Sequence, residues 1–309
     1  MSTEQSVPKP SPKWYHIIAF RKSLNLPKPN AFEDFNKESR LMSPALMLFD
    51  GAKADMALGL SNAFHVVHSF QLGSSQQGVP TYTFSAMNGN EKNLLQANMS
   101  ASGMLMARVH KNLTDNLITK FSYQSALNSP QPRIQAEADY CGSDYLVSFK
   151  TFDPNILRKS GVFVANYVQS ITKKLSAGVE FVYQKPDQYH EDGSISYALR
   201  YAGDKWVGSA VLMQMSMLNL SYHQRISDRV EIGTDFNFSM TEPRKESHTT
   251  IGGKVDFKLS SLRAQIDTRG KLATFFEHRL GPGVSVLFSG EIDHLRTTGK
   301  FGIGIQVEQ

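Results

Sequence analysis

The chain has 309 residues, 40% of them hydrophobic and 20% charged, with a formal net charge of +5 and a single cysteine, Cys141. That length suits two ordinary soluble domains or one large barrel, and the lone cysteine excludes an internal disulfide. No run approaches the ~18 apolar residues of a spanning helix, so any crossing of a membrane must be made by strands.

Residues 1–28 read as a flexible, proline-punctuated tail. Six of the 13 prolines (Pro8, Pro10, Pro12, Pro27, Pro29 and Pro44) lie in the first 48 residues. Met1 to Pro12 is polar and lacks the apolar core of a secretory signal. The stretch Lys13 to Lys22 suits one amphipathic turn or two. Residues 1–48 carry seven Lys/Arg against four Asp/Glu, too dilute a basic patch to expect a nucleic-acid partner.

Residues 29–48 read as a short helix and lead-in. Asn30 is a reasonable N-cap, and Glu33 three residues later completes a capping-box pattern. Lys37 and Arg40 suit the negative end of the helix dipole. The pattern predicts a helix from about Ala31 to Leu41.

From about Phe49 to the end, 49–309, the period changes to two. Leu175, Ala177, Val179, Phe181 and Tyr183 alternate with polar or small residues, Val182 being the exception. Val230, Ile232, Thr234, Phe236 and Phe238 do the same, as do Leu262, Ala264 and Ile266, then Val284, Val286, Phe288 and Ile292, and finally Phe301, Ile303, Ile305 and Val307. One face is therefore apolar and the other polar. Short turns are expected at Ser227–Arg229, Thr268–Gly270, Gly281–Gly283 and Thr297–Gly299, and longer connections at 73–80, 126–132, 185–193 and 241–247. The repeats accommodate between about 17 and 20 strands, with parity open.

A soluble β-sandwich would alternate too. Three features favour a transmembrane β-barrel: the repeat continues without a helical block, the segments run to ~9–11 residues, and aromatics such as Tyr183, Tyr197, Tyr201 and Tyr222 fall toward segment ends. A mean hydropathy of -0.31 does not oppose this, because lumen-facing and lipid-facing residues cancel in the average.

No catalytic constellation or cofactor motif is found, so the reading is of a non-enzyme without cofactors. His65 and His68, like Glu277 and His278, fall on opposite faces of a strand and make poor metal ligands. If the apolar faces meet lipid, the lumen receives Asp55, Glu137, Asp139, Glu180, Glu231, Asp235, Asp256, Asp267, Glu277, Glu291 and Asp293. It also receives Lys53, Lys120, Arg200, Arg225, Lys254, Lys258, Arg263, Lys271 and Arg279. These charges are either a solvated wall paired across strands or a polar conduit whose acids attract a basic polypeptide.

Several motifs carry a family resemblance: Tyr140-Cys141-Gly142-Ser143-Asp144-Tyr145, Asn166 to Thr172, Ser227 to Val230 with Thr234-Asp235-Phe236, Gln265-Ile266-Asp267, and Gly290 to His294. Asn30 to Asp34 and Gly59 to Asn62 join them. Together, over about Pro29 to Val307, the chain resembles the channel-forming subunits of the translocase of the outer mitochondrial membrane, within the mitochondrial porin superfamily. The last strand, Lys300 to Val307, also fits that family's sorting signal, at Lys300, Gly302, Ile305 and Val307. The resemblance implies about nineteen strands with the first and last parallel. It implies a short helix in or near the pore, bearing Phe32, Glu33, Asp34 and Phe35. It further implies a multi-pass protein of the mitochondrial outer membrane that imports unfolded precursors with basic presequences. The partners implied are a central receptor, small tail-anchored subunits, a second barrel copy and membrane lipid. Two other readings stay open: a voltage-dependent anion channel of the same superfamily, which should have a net basic lumen, and a soluble β-rich binding protein.

Overall fold

The computed structural model describes residues 24–73, 80–90, 92–127, 131–155, 160–186, 190–240 and 245–309. The tail expected at 1–28 lies outside the described residues apart from its last five, 24–28. Nineteen strands are present among the described residues: β1 (Gly51–Gly59), β2 (Phe64–Leu72), β3 (Thr81–Gly89), β4 (Asn93–Ser100), β5 (Leu105–Thr114), β6 (Leu117–Ser125), β7 (Arg133–Cys141), β8 (Tyr145–Asn155), β9 (Ser160–Ser170) and β10 (Leu175–Lys185). They continue with β11 (Asp192–Ala202), β12 (Trp206–Met213), β13 (Met217–Ser227), β14 (Val230–Ser239), β15 (Glu246–Asp256), β16 (Ser260–Asp267), β17 (Lys271–Gly281), β18 (Val284–Asp293) and β19 (Thr298–Glu308).

Each strand pairs antiparallel with the next, and the sheet closes through β1 and β19. An odd number of alternating strands leaves the first and last pointing the same way, so the closing ladder is parallel. It sets Ala54 opposite Ile305 and Asp55 opposite Gln306. Closure removes every sheet edge, which is what lets strands cross a membrane.

The turns expected at Ser227–Arg229, Thr268–Gly270 and Gly281–Gly283 join consecutive strands. The fourth is shifted: Thr298 and Gly299 already belong to β19, and the turn is His294–Thr297. Asp293 sets it by accepting hydrogen bonds from the amides of Leu295 and Arg296, both at 3.0 Å, and Thr297 takes φ 52°. The expected longer connections follow β2, β6, β10 and β14, so the strand ends flanking them share one rim. Parts of those connections lie outside the described residues.

Pairing parity assigns the two faces. Outside lie Phe181, Leu199, Ile251 and Ile303, between 46% and 52% exposed. A continuous apolar exterior of this kind far exceeds the few hundred Å² a soluble monomer exposes, and it suits lipid. Outward aromatics stack in two bands. Tyr140, Tyr145 and Tyr167, then Tyr201, Trp206 and Tyr222, line the rim opposite the longer connections. Phe149, Phe163 and Tyr183 lie toward the other rim. Amphipathic rings favour the two water–lipid boundaries. Tyr197, by contrast, sits mid-strand opposite Val179 and Leu212.

The segment before β1 lies inside the barrel. The single helix expected over Ala31–Leu41 is instead three pieces: a 3-10 turn at Phe32–Asp34, α1 (Lys37–Met42) and a 3-10 turn at Pro44–Leu46. Asn30 does not cap it. The first turn starts from Ala31 without a side-chain cap, and the break falls at Asn36, φ -106° and ψ 20°. The wall explains the break. Phe32 and Phe35 both enter one pocket, and a 3-10 turn aligns residues i and i+3 where an α-helix would splay them. α1, at six residues, is too short to hold itself and depends on docking.

Candidate functional site

The polar inner wall and the segment lying on it form the candidate site. Phe32 and Phe35 are 6% and 1% exposed and pack with Leu146, Val168, Ala198 and Val211 of β8, β9, β11 and β12. Gly178 of β10 makes room: a Cβ there would stand 3.0 Å from the Phe32 ring. Met42 of α1 lies over Gly233 of β14, and Ser43 Oγ donates to Gln265 Oε1 at 2.5 Å.

Charge completes the docking. Arg200 of β11 grips Glu38 with both terminal nitrogens, at 2.5 and 2.6 Å, and donates to the carbonyls of Phe35 and Asp34 at 2.9 and 3.3 Å. A planar guanidinium suits this two-point grip where an ammonium would not. Lys150, almost fully buried on β8, joins Glu33 at 2.8 Å to Glu137 at 3.2 Å. Lys120 then joins Glu137 at 3.0 Å to Asp139 at 2.8 Å. Acids and bases thus alternate along the wall from the segment to β7.

Every acid expected in the lumen stands at an inward position of its strand. Asp55 pairs with Lys53 at 2.8 Å, Asp256 with Lys254 at 2.6 Å, and Glu291 with Lys271 at 3.0 Å. Glu231 faces His223 at 3.4 Å and Arg225 at 3.9 Å, Glu277 faces Arg279 at 3.8 Å, and Asp267 faces His248 at 3.7 Å. Glu180 lies among Glu33, Lys150 and Asn166. Asp235 is covered by α1 and bonds Ser39. Asp293 is committed to its turn.

One assignment changes. Lys258 is not on an inner strand face; it lies in the turn between β15 and β16. Val182, the exception in the alternation, is an apolar residue on the inner face, in register with inward Val164 and Ser194. The sequence reading missed Lys150, Arg108, His110, His223 and His248, all inward. Alternation around Val147, Phe149 and Thr151 already marks Lys150 as facing in. Nothing local marks Glu38.

Burial opposes ionisation of Glu38, but the Arg200 hydrogen bonds and charge overcome it and hold the carboxyl below the ordinary range. A lowered folded-state pKa stabilises docking fully above the unfolded value of about 4.3 and loses that contribution as pH falls through the folded value. A spin label at Leu46 in a Cys141→Ser background is therefore expected to stay immobile at neutral pH and gain mobility on acidification below about pH 4. Equal mobility across that range would contradict a Glu38-dependent dock.

The eukaryotic porin family matches residues 28–302. The mitochondrial import receptor subunit tom40 of Neurospora crassa is 32% identical over 302 residues, covering 93% of this chain and 85% of that one. TOM40 of Saccharomyces cerevisiae is 33% identical, covering 94% and 81%. The probable subunit TOM40-2 of Arabidopsis thaliana is 28% identical, covering 91% of each. Among solved structures, a mutant Rh. blastica porin is similar at a TM-score of 0.47 and 10% identity, covering 79% of this chain and 98% of that one.

Proposed function

The chain belongs to the eukaryotic porin family and, within it, to the TOM40 family of mitochondrial import receptor subunits, and we infer that it is the channel through which precursor proteins cross the mitochondrial outer membrane. The observation that carries this reading is similarity over more than nine-tenths of the chain to import receptor subunits of fungi and a plant. The lumen is consistent with it. Its acids are dispersed along the wall, and a translocating chain must be held weakly enough to leave. The many acids at inward positions also fit a precursor conduit better than an anion channel, which would favour a net basic wall.

The finer assignments rest on the same reading. The cargo has a basic presequence. The partners are a central receptor, small tail-anchored subunits, membrane lipid and a second barrel copy, and the protein performs no catalysis. Lys300, Gly302, Ile305 and Val307 serve as a sorting signal for barrel assembly.

Pairing and cover divide the acids by how well cargo can reach them. Side chains of Glu33, Asp256 and Glu277 are 60%, 40% and 32% exposed, whereas Asp139 is 8%. Presequence contact is therefore assigned first to Glu33, Asp256, Glu277 and Glu231, the last 23% exposed. Reconstituted in planar bilayers, the protein is expected to form a cation-preferring pore blocked by basic presequence peptides. Changing those four acids to their amides should weaken block about tenfold at low salt, at roughly 0.2–1 kcal/mol per exposed charge. An anion-selective pore indifferent to the peptides would overturn the import reading; unchanged block in the quadruple variant would reassign the contact wall.

A further inference from the structure

The parallel β1–β19 ladder is the one seam that no hairpin secures, and parallel pairing is slightly weaker per residue than antiparallel. One residue, Phe49, reaches all three strands around it, with its backbone amide on β18 and its ring on β19 and β1. The Phe49 amide donates to Ser289 Oγ of β18 at 3.1 Å. Its ring lies against Gly302 and Gly304, at inward positions of β19, and Lys53 Nζ of β1 stands 6.0 Å over the ring centre. The fit leaves no spare room. A Cβ at Gly302 would come within 2.5 Å of the Phe49 carbonyl oxygen and 2.7 and 2.8 Å of its ring carbons. At Gly304 it would come within 3.0 Å of the ring tip. Just after Phe49, Gly51 takes φ 84°, which a glycine adopts freely, and turns the chain from the inner wall into β1.

Glycine inside a strand weakens it and often marks close approach of another chain segment. β19 has two such glycines on its inner face, both under the same ring. Phe49 is also the last anchor of the inner segment, whose other anchors lie on β8–β17: Phe32 and Phe35, then Glu38, then Met42 and Ser43.

We propose that Phe49 is the closing latch of the barrel, seated in the groove that Gly302 and Gly304 leave on β19, so that docking of the inner segment and closure of the β1–β19 seam stabilise each other. Gly302 then has a purpose in the finished barrel that is separate from any role in a sorting signal. The latch follows from the packing and stands whatever the channel carries.

Hydrogen exchange of the full-length protein in detergent micelles tests this. In Phe49→Ala, amides of 52–55 in β1 and 302–306 in β19 are expected to exchange about tenfold faster, with β9 and β10 unchanged. Gly302→Ala should have at least that effect, because the new methyl group lifts the lead-in off the seam. The double variant should exchange no faster than the worse single variant, since both changes remove the same contact. Seam exchange within about twofold of the parent in Phe49→Ala would overturn the latch, even if Gly302→Ala fails to fold. Effects that multiply in the double variant would overturn it too.

Discussion

Replacing Arg200 by alanine is expected to free the inner segment from the wall while the nineteen-stranded ladder stays closed. Arg200 is 9% exposed, and its side chain satisfies the Glu38 carboxylate and two backbone carbonyls at once. Removing it strands a carboxylate in a partly buried site. Breaking a buried pair in this way costs roughly 3–5 kcal/mol, and because the Glu38 side chain is 29% exposed the lower end applies, about 3 kcal/mol. That is on the order of a hundredfold in the docked-to-free ratio. Limited proteolysis of the reconstituted protein should cut within 31–50 in the variant and not in the parent, and single-channel records should turn from steady to flickering. Arg200→Lys should recover only part of the loss, since an ammonium cannot reproduce the planar grip. Resistance to cleavage in Arg200→Ala would show that the apolar contacts suffice alone.

Replacing Phe35 by alanine is the apolar counterpart. Its ring is 1% exposed, lies 5.9 Å from that of Phe32 and fills the pocket made by β8, β9, β11 and β12. Truncating a buried Phe costs about 3–5 kcal/mol, and here about 3, because water from the lumen can refill part of the space. The thermal midpoint of the barrel should move far less than the mobility of a label at Leu46, since the loss falls on docking and not on the ladder. Arg200→Ala and Phe35→Ala should not add fully, because Arg200 bonds the Phe35 carbonyl. Strict additivity in the proteolysis assay would mean that the two contacts hold independently moving pieces.

The strands were legible because a side-chain period of two ties each residue to a face. Val230 to Phe238 and Val284 to Ile292 could be assigned from the chain alone, and so could the inward position of every lumen acid. Lys150 was equally legible by alternation. Turn chemistry located three hairpins but misplaced the fourth, where Asp293 starts the turn at His294, three residues before the expected Thr297. From its residues the inner segment was legible only as a short helix and lead-in. Its capping pattern at Asn30 and Glu33 is a local signal, overridden by a pocket whose walls come from residues more than 100 positions away. Glu33 turns out to serve Lys150 instead of a helix cap.

By itself, then, the sequence determined strands with one apolar and one charged or polar face, since both follow from alternation along single strands, and segment length favoured a barrel over a sandwich. Counting its segments left the strand number between 17 and 20. The tertiary structure decided nineteen and the parallel seam, because closure depends on which strands meet and not on any one of them. It also decided the path of the inner segment, whose contacts Glu33–Lys150, Glu38–Arg200 and Phe49–Gly302 join residues that only a closed ring brings together.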